Sequence, residues 1–186
     1  ALSVDEIEQG GYEVKQANLK DNVWNFVNKD FEEIEKWVEK VGKPLKSLEI
    51  LIYRGITTGF NDAFIINDEI KKNLIEEDSK SSELIKPVLR GANIGRYYLE
   101  WDKKWIIAIP KGLTKKLSNG QMLPIDEAEE IFKNNYPSIY SHLSKFKNLK
   151  TSGKGLLKRD DQGDYWWELR ACDYYPEFEK PKVVWQ

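Results

Sequence analysis

An α+β fold, with a mixed or antiparallel sheet packed against helices, is predicted for this chain by two patterns. Over some stretches apolar residues recur at steps of three and four, the spacing of one helix face; over others they run as short continuous blocks, as in buried strands. Glycines bracketing polar residues separate the blocks. With no internal repeat, low-complexity tract or second apolar core, one α+β domain is the simplest architecture.

Residues 1–20 are polar and interrupted by Gly10 and Gly11, so they read as a linker or docking segment, and residues 21–186 as the domain. Trp24, Val27, Phe31, Ile34, Val38 and Val41 make the core-facing stripe of a helix that ends at Gly42 and Pro44. Residues 48–53 and 64–66 read as strands, 68–75 as a short helix, and 82–85 as at most a helical turn before Pro87. Residues 97–101 and 105–109 flank Asp102-Lys103-Lys104 as a hairpin. Asp126, with Glu129 three residues on, has the spacing of a helix cap, and Pro137 can open a second helix with Ile139, Tyr140, Leu143 and Phe146 on one face. Residues 151–155 form a small-residue loop leading to Lys158 and Arg159.

The 186 residues are 40% apolar with seven Trp, enough for one substantial core. A single cysteine, Cys172, allows no internal disulfide and fits a reducing cytoplasm as an inert thiol. No run of eighteen apolar residues and no signal-peptide pattern occur, which argues against membrane and secretory roles. The net charge of −2 argues against a generic polyanion binder. Its distribution reverses that reading. Residues 51–120 carry an excess of basic residues, and residues 141–159 hold six Lys or Arg and no Asp or Glu, against acidic flanks.

Two segments stand out. The apolar run into Tyr53 meets Arg54-Gly55-Ile56-Thr57-Thr58-Gly59-Phe60-Asn61 before returning to apolar residues, and Lys86-Pro87-Val88-Leu89-Arg90-Gly91-Ala92-Asn93-Ile94-Gly95-Arg96 repeats the formula of arginine, glycine and amide. These segments hold three of five arginines, against twenty-four lysines, and a planar guanidinium fork suits a phosphate or a guanine edge better than an ammonium does. The same residue types also fit a plain turn in which Arg54 pairs with a carboxylate. The first segment lacks the Gly-Lys-Ser/Thr ending of a Walker phosphate loop.

The order Tyr53-Arg54-Gly55 through Phe64, Ile85-Lys86-Pro87-Val88-Leu89-Arg90-Gly91, Tyr97-Tyr98 before Trp105-Ile106-Ile107, and the late Gly163–Arg170 and Phe178–Val184 segments resembles the TaqI-like C-terminal specificity domain. That family serves type IIG restriction-modification enzymes, related adenine-N6 DNA methyltransferases and the methyltransferases of BREX phage-defence systems. The resemblance covers about residues 50 to 186. It implies a domain that recognises a sequence in double-stranded DNA while a separate S-adenosylmethionine-dependent methyltransferase domain of the same parent chain does the chemistry, with cleavage added in the type IIG enzymes. The Asn/Asp-Pro-Pro-Tyr/Phe motif and the glycine-rich cofactor turn of such methyltransferases are absent here. A non-catalytic, cofactor-free fragment of a larger cytoplasmic enzyme is therefore expected, consistent with a start at Ala1 and an end inside an apparent strand.

On this reading Arg54, Thr57, Thr58 and Asn61 of the first loop, with Lys86, Arg90, Asn93 and Arg96 of the second, face bases or nearby phosphates. Lys145, Lys147, Lys150, Lys154, Lys158 and Arg159 face the DNA backbone. No catalytic or metal site is assigned. Asp5 with Glu13-Val14-Lys15 has the bare order of a nuclease site but is too short to be specific, and His142, the sole histidine, reads as a surface or capping residue. In an extended segment Trp166 and Trp167 would point opposite ways, one buried and one more exposed. Exposed tryptophans would instead suit a glycan-binding or protein-interaction module.

Overall fold

The computed structural model describes residues 16, 29–148 and 155–184. Two compact units divide the chain, Ala1–Ile52 and Tyr53–Gln186. The segment 1–20, position 16 apart, lies outside the described residues, as do Trp24 and Val27.

In the first unit, α1 (Lys29–Val41) carries Asp30 and Glu32 in its first turn and Lys40 in its last, charges that match the helix dipole. Gly42 ends it as expected: its N–H donates to the Val38 carbonyl at 2.7 Å, and a Cβ there would lie 2.6 Å from that oxygen. The stripe of Phe31, Ile34, Val38 and Val41 forms, but each residue is more than half exposed, so it is not the core face the spacing implied. Nor does the buried strand expected over 48–53 form. A 3₁₀ turn (Leu45–Leu48) runs into Glu49 at φ 53° and then into unpaired chain, with Leu51 73% exposed. An apolar block becomes a strand only where a partner strand supplies its hydrogen bonds.

The second unit is an α+β arrangement whose described strands all pair antiparallel. Short α2 (Asn61–Phe64) leads into β1 (Ile65–Ile66), and the Asn67 side chain then caps α3 (Asp68–Glu77) by accepting from Ile70 N at 2.8 Å. A 3₁₀ turn (Ser79–Glu83) precedes β2 (Ile85–Pro87). β3 (Ile94–Gly95) and β4 (Tyr98–Leu99) form a separate ribbon, and β5 (Trp105–Ile107) takes the centre of a three-stranded sheet of order β1-β5-β2. The hairpin expected around residues 102–104 is thus split. Buried Ile106 and Ile107 pair with Ile65 and Ile85, whereas exposed Tyr98 and Leu99 pair back on β3, so burial decides which strand β5 joins.

Three helices follow: α4 (Leu113–Leu117), α5 (Ile125–Asn135) and α6 (Pro137–Ser144). Pro137 opens α6 as expected. Asp126 does not cap α5; it lies inside the first turn, where its charge meets the dipole instead. Phe132, Ile139 and Leu143 pack with Phe64, Ile107 and Leu156 in one buried cluster.

Trp166 and Trp167 are both sealed in this core, 2% and 0% exposed, so the expected alternation fails. The segment bends rather than extends: Glu168 N donates to Tyr165 O at 3.0 Å, and Gly163 N donates to Glu168 O at 3.0 Å. Trp167 stacks between Tyr165 at 4.9 Å and Phe132 at 5.3 Å, and its Nε1 donates to Thr114 Oγ1 at 2.9 Å. Burial also removes both indoles as platforms for a glycan.

Candidate nucleic-acid interface

Local chemistry shapes the loop of residues 54–61. Gly59 sits at φ +66°, and a Cβ there would come within 3.0 Å of Asp161 Cβ, so both backbone conformation and close approach call for glycine. Thr58 is buried; its hydroxyl donates to Asn61 Oδ1 at 2.6 Å and accepts from Phe60 N at 3.2 Å. Thr58 and Asn61 therefore hold the loop's shape. At the other end Tyr53 stacks on Tyr174 at 4.7 Å, and the Tyr174 hydroxyl donates to Arg54 O at 3.2 Å. Pinned at both ends, the loop leaves Arg54 exposed and Thr57 half-buried.

Beneath the loop lies Arg159, only 4% exposed. Its guanidinium donates to the carbonyls of Thr58 and Glu168, to Asp161 O at 2.7 Å and to Trp166 O at 3.2 Å, and lies over the Phe64 ring at 4.6 Å. Burial pulls its pKa down to about 10. Grouped by sequence with the backbone-facing cations, Arg159 instead points inward, because a five-donor fork meets a cluster of four backbone carbonyls.

Two depressions flank the loop. A shallow groove of about 500 Å³ runs along residues 54–61, and a smaller cavity of about 150 Å³ lies between residues 54–57 and the segment 170–175. Neither is lined by an Asp or Glu, although the chain has 31 acidic residues against 29 basic. Arg170 lines the cavity, a residue singled out by sequence only as part of the late segment. Its signal was its type: three of five arginines, Arg54, Arg159 and Arg170, serve this one loop.

The second segment is built differently. Arg90 pairs with Asp102, and Asn93 is buried with its Oδ1 accepting from Arg90 N at 2.9 Å, so this amide braces the turn rather than facing outward. Arg96 and Tyr97 form the tip of the β3–β4 ribbon, with the Arg96 guanidinium 5.2 Å from the Tyr97 ring, and Tyr97 is 92% exposed at φ +71°. Since β1 and β2 both run antiparallel to β5, the first loop precedes β1 at one end of the sheet and the second leaves β2 at the other. The 3₁₀ turn Tyr175–Glu179 touches both regions: the preceding Tyr174 bonds Arg54 O, and Glu179 lies 3.7 Å from Lys86.

Of the basic run, Lys145 and Lys158 are exposed. Lys147 is half-buried, 2.6 Å from Glu129 and over the Trp166 ring at 5.0 Å. Lys150 and Lys154 lie outside the described residues. His142 is buried, not on the surface: its Nε2 donates to Ala63 O at 3.0 Å, and burial pushes its pKa down.

No protein-family model matches the chain. It is 35% identical over 95 residues to the type II methyltransferase M.MjaIV of Methanocaldococcus jannaschii. Half of this chain resembles part of a type II methyltransferase. The matched part is 50% of this chain and 26% of that relative, so the chain spans about a quarter of the relative's length. No described helix is long and apolar enough to cross a membrane.

Proposed function

We propose that this chain reads DNA sequence for a methyltransferase of the restriction-modification type, as a TaqI-like specificity domain does, while a catalytic domain elsewhere in the parent protein transfers the methyl group. The observation that carries the reading is the braced loop of residues 54–61, which offers Arg54 and Thr57 beside two depressions without a carboxylate. Similarity to a type II methyltransferase supports it. Arg54 is the candidate for a guanine edge, Thr57 for a base edge or nearby phosphate, and the exposed tip residue Arg96 extends the contact. Lys86 and Arg90 hold ion pairs that a phosphate can exchange. The chemistry of the parent is S-adenosylmethionine-dependent adenine-N6 methylation in the cytoplasm, with type IIG cleavage as an elaboration.

The test is selection of duplexes from a randomised pool by the full chain, followed by anisotropy titrations of the selected and a scrambled duplex. A consensus should emerge, and Arg54→Ala should erase discrimination at a cost of about 1–3 kcal/mol per lost base contact. Recovery of no consensus, or an Arg54→Ala protein with intact preference, would remove the loop from the reading surface.

A further inference from the structure

The wall of the smaller cavity includes a polar residue whose hydroxyl the fold leaves without a partner among the described residues. That residue is Tyr175, and its hydroxyl oxygen is sealed from solvent. Arg159 Nε is buried and equally unpartnered, and the two side chains act on one another electrostatically. An unmet buried polar group is costly, and one in the wall of a cavity points to a ligand that supplies an acceptor. The cavity's charge says which kind. Arg54 and Arg170 line it with Thr57 and Tyr174, no Asp or Glu does, and the Arg170–Asp161 pair at 3.3 Å is exposed and readily exchanged. At about 150 Å³ it has room for a tetrahedral oxyanion.

We infer that this cavity seats one phosphodiester of the bound DNA backbone, with the Tyr175 hydroxyl and the Arg170 guanidinium as donors, and so sets the register in which the adjoining loop meets the bases. The inference rests on the proposed DNA reading. A phosphate held behind the loop is a positioning contact: it adds affinity without sequence preference, whereas Arg54 at the shared wall contributes discrimination.

The test uses Tyr175→Phe and Arg170→Gln in the full chain, with duplex anisotropy over a salt series, competition by inorganic phosphate and denaturant unfolding. Because the Tyr175 hydroxyl has no partner to lose, Tyr175→Phe should unfold at an unchanged or higher denaturant concentration. It should nevertheless bind every duplex about three- to tenfold more weakly, the range one hydrogen bond commands, with sequence preference kept. Arg170→Gln should lower the slope of log affinity against log salt by about one. Millimolar phosphate should weaken duplex binding by the parent chain more than by Tyr175→Phe. A Tyr175→Phe protein of unchanged duplex affinity, or of reduced stability, would overturn the inference. Sequence-selective duplex binding that neither variant weakens would sink the cavity and leave the DNA reading intact. Phosphate bound without any duplex would overturn both the phosphodiester source and the DNA reading.

Discussion

The Arg159 guanidinium donates to the carbonyl oxygen of Thr58, 101 residues earlier in the chain, and so ties the floor of the C-terminal segment to the presented loop. The same fork holds the carbonyls of Asp161, Trp166 and Glu168. Arg159→Met keeps much of the side chain's bulk but takes the donor from the carbonyls of Thr58, Asp161 and Trp166, and should destabilise the protein by about 3 kcal/mol. Arg159→Lys, with one point of donation in place of a fork, should recover only part of that loss. Urea unfolding midpoints of the two variants check the order; equal stability of Arg159→Met and the parent would remove the tie.

The basic run divides by environment. Lys147 is held by Glu129 at 2.6 Å over an indole face, while Lys145 and Lys158 are exposed. Alanine at Lys145 or Lys158 should each reduce the salt slope of duplex binding by about one. Lys147→Ala should leave the slope unchanged and lower stability by about 1 kcal/mol. Unchanged slopes at all three positions would make the run a solvated face.

Stability should fall with acid through His142. Burial holds its pKa below the ordinary 6.5, with the charge of Lys145 acting in the same direction, so the folded protein keeps the ring neutral. As pH drops below about 6.5 the unfolded chain takes up the proton first, and the equilibrium shifts toward unfolding. The contribution is therefore fully present above that pH and is lost below it. Since this is the sole histidine, His142→Gln should flatten the stability profile between about pH 7 and 5. Unfolding midpoints across that range decide it; a slope that survives the substitution would place its origin elsewhere.

Tyr97 occupies the left-handed region at φ +71° on the ribbon tip, a conformation that costs a residue with a Cβ about 1–2 kcal/mol. Tyr97→Gly should leave stability unchanged or raise it by up to about 1 kcal/mol. Loss of the ring also frees Arg96, so duplex affinity should fall while the unfolding midpoint does not. Parallel anisotropy and melting measurements separate the two effects, and reduced stability would show that the ring packs against the fold.

Local signals were enough to read the helix stop at Gly42 and the Pro137 helix start, because each depends on backbone sterics within a few residues. The α+β class was legible for the same reason: periodicity is local. What tertiary structure alone decided is pairing and burial. The apolar run 48–53 looks like a strand yet finds no partner, and Trp105–Ile107 abandons its neighbour in sequence for β1 and β2. The tryptophan pair turns inward because Tyr165, Phe132 and Thr114 enclose Trp167. Arg159 reads in sequence as one more cation of a basic run, and only the convergence of carbonyls from positions 58, 161, 166 and 168 makes it a buried brace. A charge pattern records what a side chain can offer; where acceptors gather is set by the folded chain.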